Sequence, residues 1–172
     1  VKIGGGDYGW RVNVNGEVES LITYIKKGQT VKKEPLYSST AASHNSNDIG
    51  NTYVEINLAM QHLWFYKNGS LVVEGDVVTG NAKLNRSTPT GIYRLKYKQK
   101  NATLKGEDYS TPVSYWMPFN GNIGIHDAYW RSTFGGDIYL TKGSHGCVNA
   151  PPSVANTIFD NTVPFNSSMS CG

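Results

Sequence analysis

Apolar positions along the chain change period twice. Between Asp7 and Gly28, Val18, Leu21, Ile22 and Ile25 fall at i, i+3, i+4 and i+7, one face of an amphipathic helix. Asn15 is the candidate cap, Lys26-Lys27 occupy the last turn and Gly28 lies just beyond. A single helix cannot bury that face alone, so it is expected to pack on a domain absent from this chain or on the body of this one. From Gln29 to Asn51 the pattern lapses into a polar run rich in Ser and Asn, read as a linker or peripheral loop. His44 within it is read as a solvated loop histidine without a role.

After the linker the period drops to two. Tyr53-Val54-Glu55-Ile56 alternates, His62 to Tyr66 does so more loosely, and Asn68-Gly69 is a strong hairpin signal ahead of Leu71-Val72-Val73 and Val77-Val78. Three antiparallel strands follow from this. Further strands are expected at Gly91–Tyr97, introduced by the turn Ser87-Thr88-Pro89-Thr90, at Val113–Met117 and at Ile123-Gly124-Ile125. Pro151 with Val154, Ala155, Ile158 and Phe159 predicts a short helix over 151–160. The fold is therefore expected to be mostly β, with mixed strands and a short helix behind the segment that holds Cys147.

Composition narrows the function classes. The chain has 172 residues, 38% of them hydrophobic, which suits one globular domain with a small appendage. Its formal charge is 16 − 13 = +3 with the basic residues scattered, so no stripe suited to nucleic acid is present. No apolar run approaches the roughly 20 residues of a membrane span. The chain begins at Val1 rather than Met, and the reading is of a processed or truncated piece whose export signal or anchor would lie in the missing part.

The chemistry concentrates at Ser144-His145-Gly146-Cys147-Val148-Asn149, with His126-Asp127 lying 147 − 126 = 21 positions upstream. A cysteine nucleophile needs a base, a group that orients the base, and N–H donors for an oxyanion. His126, at the end of an apolar strand, is the expected base, and Asp127 its orienter, through its main-chain carbonyl rather than its carboxylate because adjacent strand residues point apart. The same alternation places His145 on the side of Cys147, lining the site or standing beside it. Gly146 permits close approach of a substrate carbonyl, so the N–H groups of Gly146 and Cys147 are candidates for the oxyanion site. Tyr115, Trp116 and Trp130 are candidate walls of a substrate cleft, and Arg131 a candidate partner for a substrate carboxylate. A disulfide to Cys171 would close little loop and silence the nucleophile, so a free thiol is preferred. A zinc site from His126, His145 and Cys147 lacks a fourth ligand. A structural cysteine and a cysteine peptidase remain open on chemistry alone.

Taken together, His126 and Ser144-His145-Gly146-Cys147-Val148-Asn149 resemble the YkuD catalytic domain of L,D-transpeptidases. The resemblance runs from about Asn51 to Val163 and includes Tyr53-Val54-Glu55-Ile56, Gln61, Leu63-Trp64-Phe65-Tyr66, Val78-Thr79-Gly80 and Thr88-Pro89-Thr90-Gly91. Tyr8-Gly9-Trp10-Arg11-Val12-Asn13 is similar to the tail of a peptidoglycan-binding domain that precedes such domains, which divides the chain into residues 1–50 and a catalytic domain at 51–172. The resemblance implies a YkuD-like β-sandwich without a cofactor or metal, acting outside the cytoplasm on peptidoglycan stem peptides. Its reaction would be acyl transfer through a thioester on Cys147, giving 3→3 cross-links. His126 would shuttle the proton, with Asp127 orienting it, His145 assisting or shaping the oxyanion site, and Ser144 and Gly146 at the substrate. It also implies acylation by carbapenems. A silent peptidoglycan-binding module and a peptidase acting on stem peptides are the alternatives. One departure is the end of the chain, where an apolar closing strand is expected and Val163-Pro164-Phe165 instead runs into a polar tail, so that strand is either divergent or missing.

Overall fold

The computed structural model describes residues 3–164. Asp7–Gly50 forms one compact unit and the other described residues form a second.

In the smaller unit, helix α1 (Val14–Lys26) is capped by Asn13, whose side chain accepts from Gly16 N at 3.1 Å, two positions before the expected Asn15. None of its residues is buried, and Val18, Leu21, Ile22 and Ile25 are all exposed. The stretch read as a linker carries order of its own. Strand β2 (Tyr37–Ser39) pairs antiparallel with β1 (Arg11–Val12), and His44 stacks on Trp10 with ring centroids 3.8 Å apart. The sequence hid this because a two-strand pairing held by ring stacking and loop hydrogen bonds leaves no apolar period.

The larger unit holds two sheets. The first is the antiparallel meander β3 (Tyr53–Asn57), β4 (His62–Lys67) and β5 (Ser70–Asp76), turned at Asn68-Gly69 as expected. The second runs β6 (Gln99–Lys105), β7 (Ser110–Asn120), β8 (Ile123–Asp127) and β9 (Val148–Ala150), antiparallel except for the β8–β9 pair. Parallel neighbours require a long crossover. Residues 128–147 supply it, with the short helix α2 (Ile138–Lys142) inside it.

One core joins both sheets to helix α3 (Pro152–Asn161). Leu63 and Phe65 of β4, Met117 of β7, Ile125 of β8 and Val148 of β9 pack with Val154, Ala155, Ile158 and Phe159 of α3. The alternation in β4 holds, with Leu63 and Phe65 fully buried and their neighbours outward.

Two sequence expectations move. Gly91–Tyr97 makes no strand; a bridge joins Ile92 to Gly6, and Lys96 N donates to Pro118 O at 2.8 Å. The strand beside β7 is β6 instead, a polar run whose single fully enclosed side chain is Ala102, so no alternating pattern announces it. Among the described residues no strand follows α3; the rest of the expected closing strand, like Cys171, lies outside them.

Candidate active site

Cys147 ends a turn that is stitched from both sides. Ser144 N donates to Thr79 O at 3.0 Å and Asn81 N to Ser144 O at 2.9 Å, while Val78 and Asn149 exchange two backbone bonds of 2.9 Å. Inside the turn, Ser144 Oγ donates to Cys147 O (2.6 Å) and accepts from Gly146 N (3.0 Å). Gly146 has φ of +123°, where a side chain is strained, and an added Cβ would lie 3.1 Å from Ile123. The glycine therefore serves the turn itself. Of the two expected oxyanion donors, the Gly146 N–H is engaged by Ser144, which leaves the Cys147 N–H.

Thr88 locks the same turn from below. Its hydroxyl donates to Gly146 O at 2.7 Å and accepts from Gly80 N at 3.0 Å. Fully buried Gln61 bonds Thr79 twice, at 2.7 Å and 2.9 Å. An added Cβ at Gly80 would sit 1.9 Å from Arg86 O, so this approach of two backbones tolerates no side chain. In the sequence Thr88 reads as a turn residue, and Gln61, Thr79 and Gly80 enter only with the resemblance; in the structure all four hold the cysteine turn.

The thiol is free, buried, and directed at Asn122 O, 3.5 Å away. Burial pushes its pKa up from the ordinary 9.0, with the Gly124 backbone opposing slightly. Cys147 lies on the floor of a cavity of about 200 Å³ lined among others by Tyr97, Leu104, Tyr109, Trp116 and Asn122. Trp116 is anchored there by Nε1 donating to Tyr97 Oη at 3.2 Å. Burial, and next the nearby sulfur, raise the Tyr109 phenol.

His126, on β8, is 4% exposed. Its Nδ1 donates to Asp127 O at 2.8 Å, so the carbonyl, not the carboxylate, orients the ring. The Asp127 carboxylate points inward, accepting from Tyr115 N at 2.8 Å through Oδ1, while its buried Oδ2 has no hydrogen-bond partner among the described residues. Oriented by its neighbours, the Asn149 amide donates to His126 Nε2 at 3.1 Å and accepts from Arg131 Nε at 2.9 Å and Nη2 at 3.2 Å. Burial lowers the His126 pKa from 6.5, against the pull of the Asp127 carbonyl and carboxylate, and the Arg131 charge lowers it further. The resting pair is thus a neutral thiol and a neutral imidazole, not hydrogen-bonded to each other among the described residues.

The remaining expected residues divide. Trp116 and Trp130 flank the imidazole at 6.1 and 5.9 Å between ring centroids. Tyr115 does not wall the cleft: it packs on Phe159 of α3, in the main core, as alternation from Trp116 demands. Arg131 does not wait for a substrate carboxylate, because its guanidinium is held by Asn149 and by Lys142 O at 2.8 Å. His145 stands beside the site rather than over it. Residues 144–147 are a turn, so strand alternation does not carry the ring to the thiol. Its Nε2 faces the Arg86 guanidinium and Asp108 Oδ1, the latter at 3.3 Å, and the ring packs against Tyr109. Among the described residues no three metal-ligating side chains converge anywhere.

Residues 51–166 match the family model of the L,D-transpeptidase catalytic domain, YkuD. The chain belongs to the YkuD family of L,D-transpeptidase catalytic domains. The fold agrees: a cysteine-to-serine variant of the Enterococcus faecium L,D-transpeptidase superposes with a TM-score of 0.78 at 36% identity, covering 95% of this chain and 66% of that one. The Ldtfm–avibactam carbamoyl enzyme gives 0.77 at 36% identity, over 97% of this chain and 69% of that one. The catalytic domain of the E. faecium L,D-transpeptidase acylated by ertapenem gives 0.61 at 42% identity, over 67% and 92%. This YkuD chain thus spans about two thirds of the length of the longer relatives. No curated protein matches it significantly.

Proposed function

We propose that this YkuD domain is a peptidoglycan L,D-transpeptidase that forms 3→3 cross-links through a thioester on Cys147. The observation that carries the reading is a buried thiol lining a cavity, one residue before β9, and, on the parallel neighbour β8, a buried imidazole whose Nδ1 proton is fixed on a carbonyl. In the first half-reaction the thiol proton passes to His126 Nε2 as sulfur attacks the carbonyl of the L-centre of the third stem residue. That step asks the S–H to leave the Asn122 carbonyl and the Asn149 amide to yield the Nε2 lone pair. The carbonyl π pair moves onto oxygen beside the Cys147 N–H, then returns as the C–N bond breaks. The same proton leaves with D-Ala, and the acyl group stays on sulfur.

In the second half-reaction an amine from a neighbouring stem attacks the thioester and gives its proton to His126. The C–S bond breaks, an amide remains, and the proton returns to the thiolate. His145, Ser144 and Gly146 shape the approach without exchanging protons with substrate. Trp116 and Trp130 are the cleft walls in this scheme. Residues 1–50 are read as the end of a preceding peptidoglycan-binding domain plus linker, and the enzyme as working outside the cytoplasm. No helix among the described residues is long and apolar enough to cross a membrane. Carbapenems are expected to acylate the same sulfur, in keeping with the ertapenem-acylated E. faecium domain.

A defined tetrapeptide donor, offered with several amine acceptors and followed by mass spectrometry, tests the proposal. Release of D-Ala with a 3→3 linked dimer is the expected outcome. D-Ala release with water as the sole acceptor would make the protein a carboxypeptidase, and no release would remove the enzymatic reading.

A further inference from the structure

The Arg131 guanidinium, expected at a substrate carboxylate, is bound at two points inside the protein. It donates to Lys142 O at the end of α2 (2.8 Å) and to the Asn149 side chain on β9 (2.9 and 3.2 Å). We propose that Arg131 is a positioning residue that acts through Asn149 to fix His126 as the neutral Nδ1–H tautomer. The inference rests on the reading of His126 as the base of the proposed transpeptidase.

Arg is a donor only, so the end of the Asn149 amide that faces it must be oxygen. The amide nitrogen then faces His126 Nε2, at 3.1 Å, and being a donor it requires a lone pair there. On the far side of the ring, the Asp127 carbonyl requires a proton on Nδ1, at 2.8 Å. Each assignment forces the next, and only one state of the imidazole satisfies all three.

Without Arg131 the amide is free to turn its oxygen to Nε2, which then favours a protonated ring. The groups packed on His126 are Asp127 from β8, Asn149 from β9, Trp116 from β7, and Trp130 and Arg131 from the crossover; the charged ones are Arg131 and the inward-facing Asp127 carboxylate. Arg131 therefore supplies both an orienting donor and an opposing charge. An exposed arginine salt bridge would do neither.

Nuclear magnetic resonance of the His126 ring nitrogens reads this directly. In the wild type, Nδ1 should carry the proton and the ring should titrate below 6.5. In Arg131→Met the midpoint should rise by about one unit, a tenfold gain in proton affinity. Arg131→Lys, which keeps a donor-only cation, should stay close to the wild type. An Nε2–H tautomer in the wild type, or an unmoved midpoint in a folded Arg131→Met, would overturn the proposal. Should Arg131→Met fail to fold, Arg131→Ala carries the same comparison, and an unmoved midpoint there would equally overturn the proposal. Ertapenem acylation run alongside separates the two readings: a wild type inert to ertapenem strikes at the transpeptidase reading, while the His126 midpoint in the Arg131 variants still answers for Arg131.

Discussion

Two histidines flank the cysteine, and they differ in almost every physical respect. His145 is two residues from Cys147, yet its ring is well exposed and faces Arg86, Asp108 and Tyr109. His126 is far away in sequence, yet it is buried, with each ring nitrogen assigned to one partner. The parallel pairing of β8 with β9 accounts for the second arrangement. It sets His126 opposite Asn149 and Ile125 opposite Val148, so residues separated by the whole crossover become neighbours. A ring at the surface among charged side chains has no enclosed partner on either nitrogen, whereas a ring between a carbonyl and an oriented amide is held in one tautomer. Proximity along the chain thus says less about proton transfer than does the number of fixed hydrogen bonds.

The comparison breaks most sharply at His126. Replacing it with Ala should slow acylation by ertapenem at neutral pH by about 10² to 10⁴, the usual worth of general-base help. Stopped-flow or intact-mass kinetics measure this, and an unchanged rate would transfer the role to His145.

The pH dependence sharpens the contrast. Because burial raises the Cys147 thiol above 9.0 and lowers the imidazole below 6.5, the part of the thiolate absorbance that Cys147→Ala removes should be absent at neutral pH and develop only above 9.0. For stability the signs follow from proton uptake. Between the folded and unfolded pKa of His126 the unfolded chain binds the extra proton, so stability is full above 6.5 and declines as pH falls through the lowered folded value. Denaturant midpoints that stay level from neutral pH down to where carboxylates titrate would show that His126 is not buried as neutral imidazole.

The smallest effect belongs to His145. Its Ala variant gives up an exposed pair worth at most about 1 kcal/mol. If the same energy governed the barrier, acylation by ertapenem would change by no more than about fivefold. A loss as large as that in the His126 variant would mean that the ring leaves Asp108 and reaches the thiol during reaction.

Much of this was legible in advance, for reasons that can be traced. Alternating apolar residues and Asn-Gly announced the first sheet, and the proline with its apolar face announced α3. The cysteine motif singled out by residue type a thiol that the structure leaves free and sets in the lining of a cavity. What failed were features whose cause lies outside the local pattern. Polar β6 is a strand because β7 needs a partner, and Gly91–Tyr97 looks like a strand yet finds no ladder. Of the two places alternation allows His145, lining the site or standing beside it, the structure shows the second, because the positive φ of Gly146 makes 144–147 a turn and not a strand. The meeting of Asn149 and Arg131 depends on the β8–β9 register and on where the crossover returns, which no local pattern carries. Tyr115 and Trp116 cannot both wall one cleft, since one of two adjacent strand residues must face away.

The proposed reaction depends on acylation of Cys147. Intact-mass measurement after incubation with ertapenem, on the wild type and on Cys147→Ala, reads it without a substrate. One covalent adduct is expected on the wild type, mapping to the peptide that contains Cys147, and none on the variant. An adduct that persists on Cys147→Ala, or a wild type that remains unmodified, would rule Cys147 out as the nucleophile.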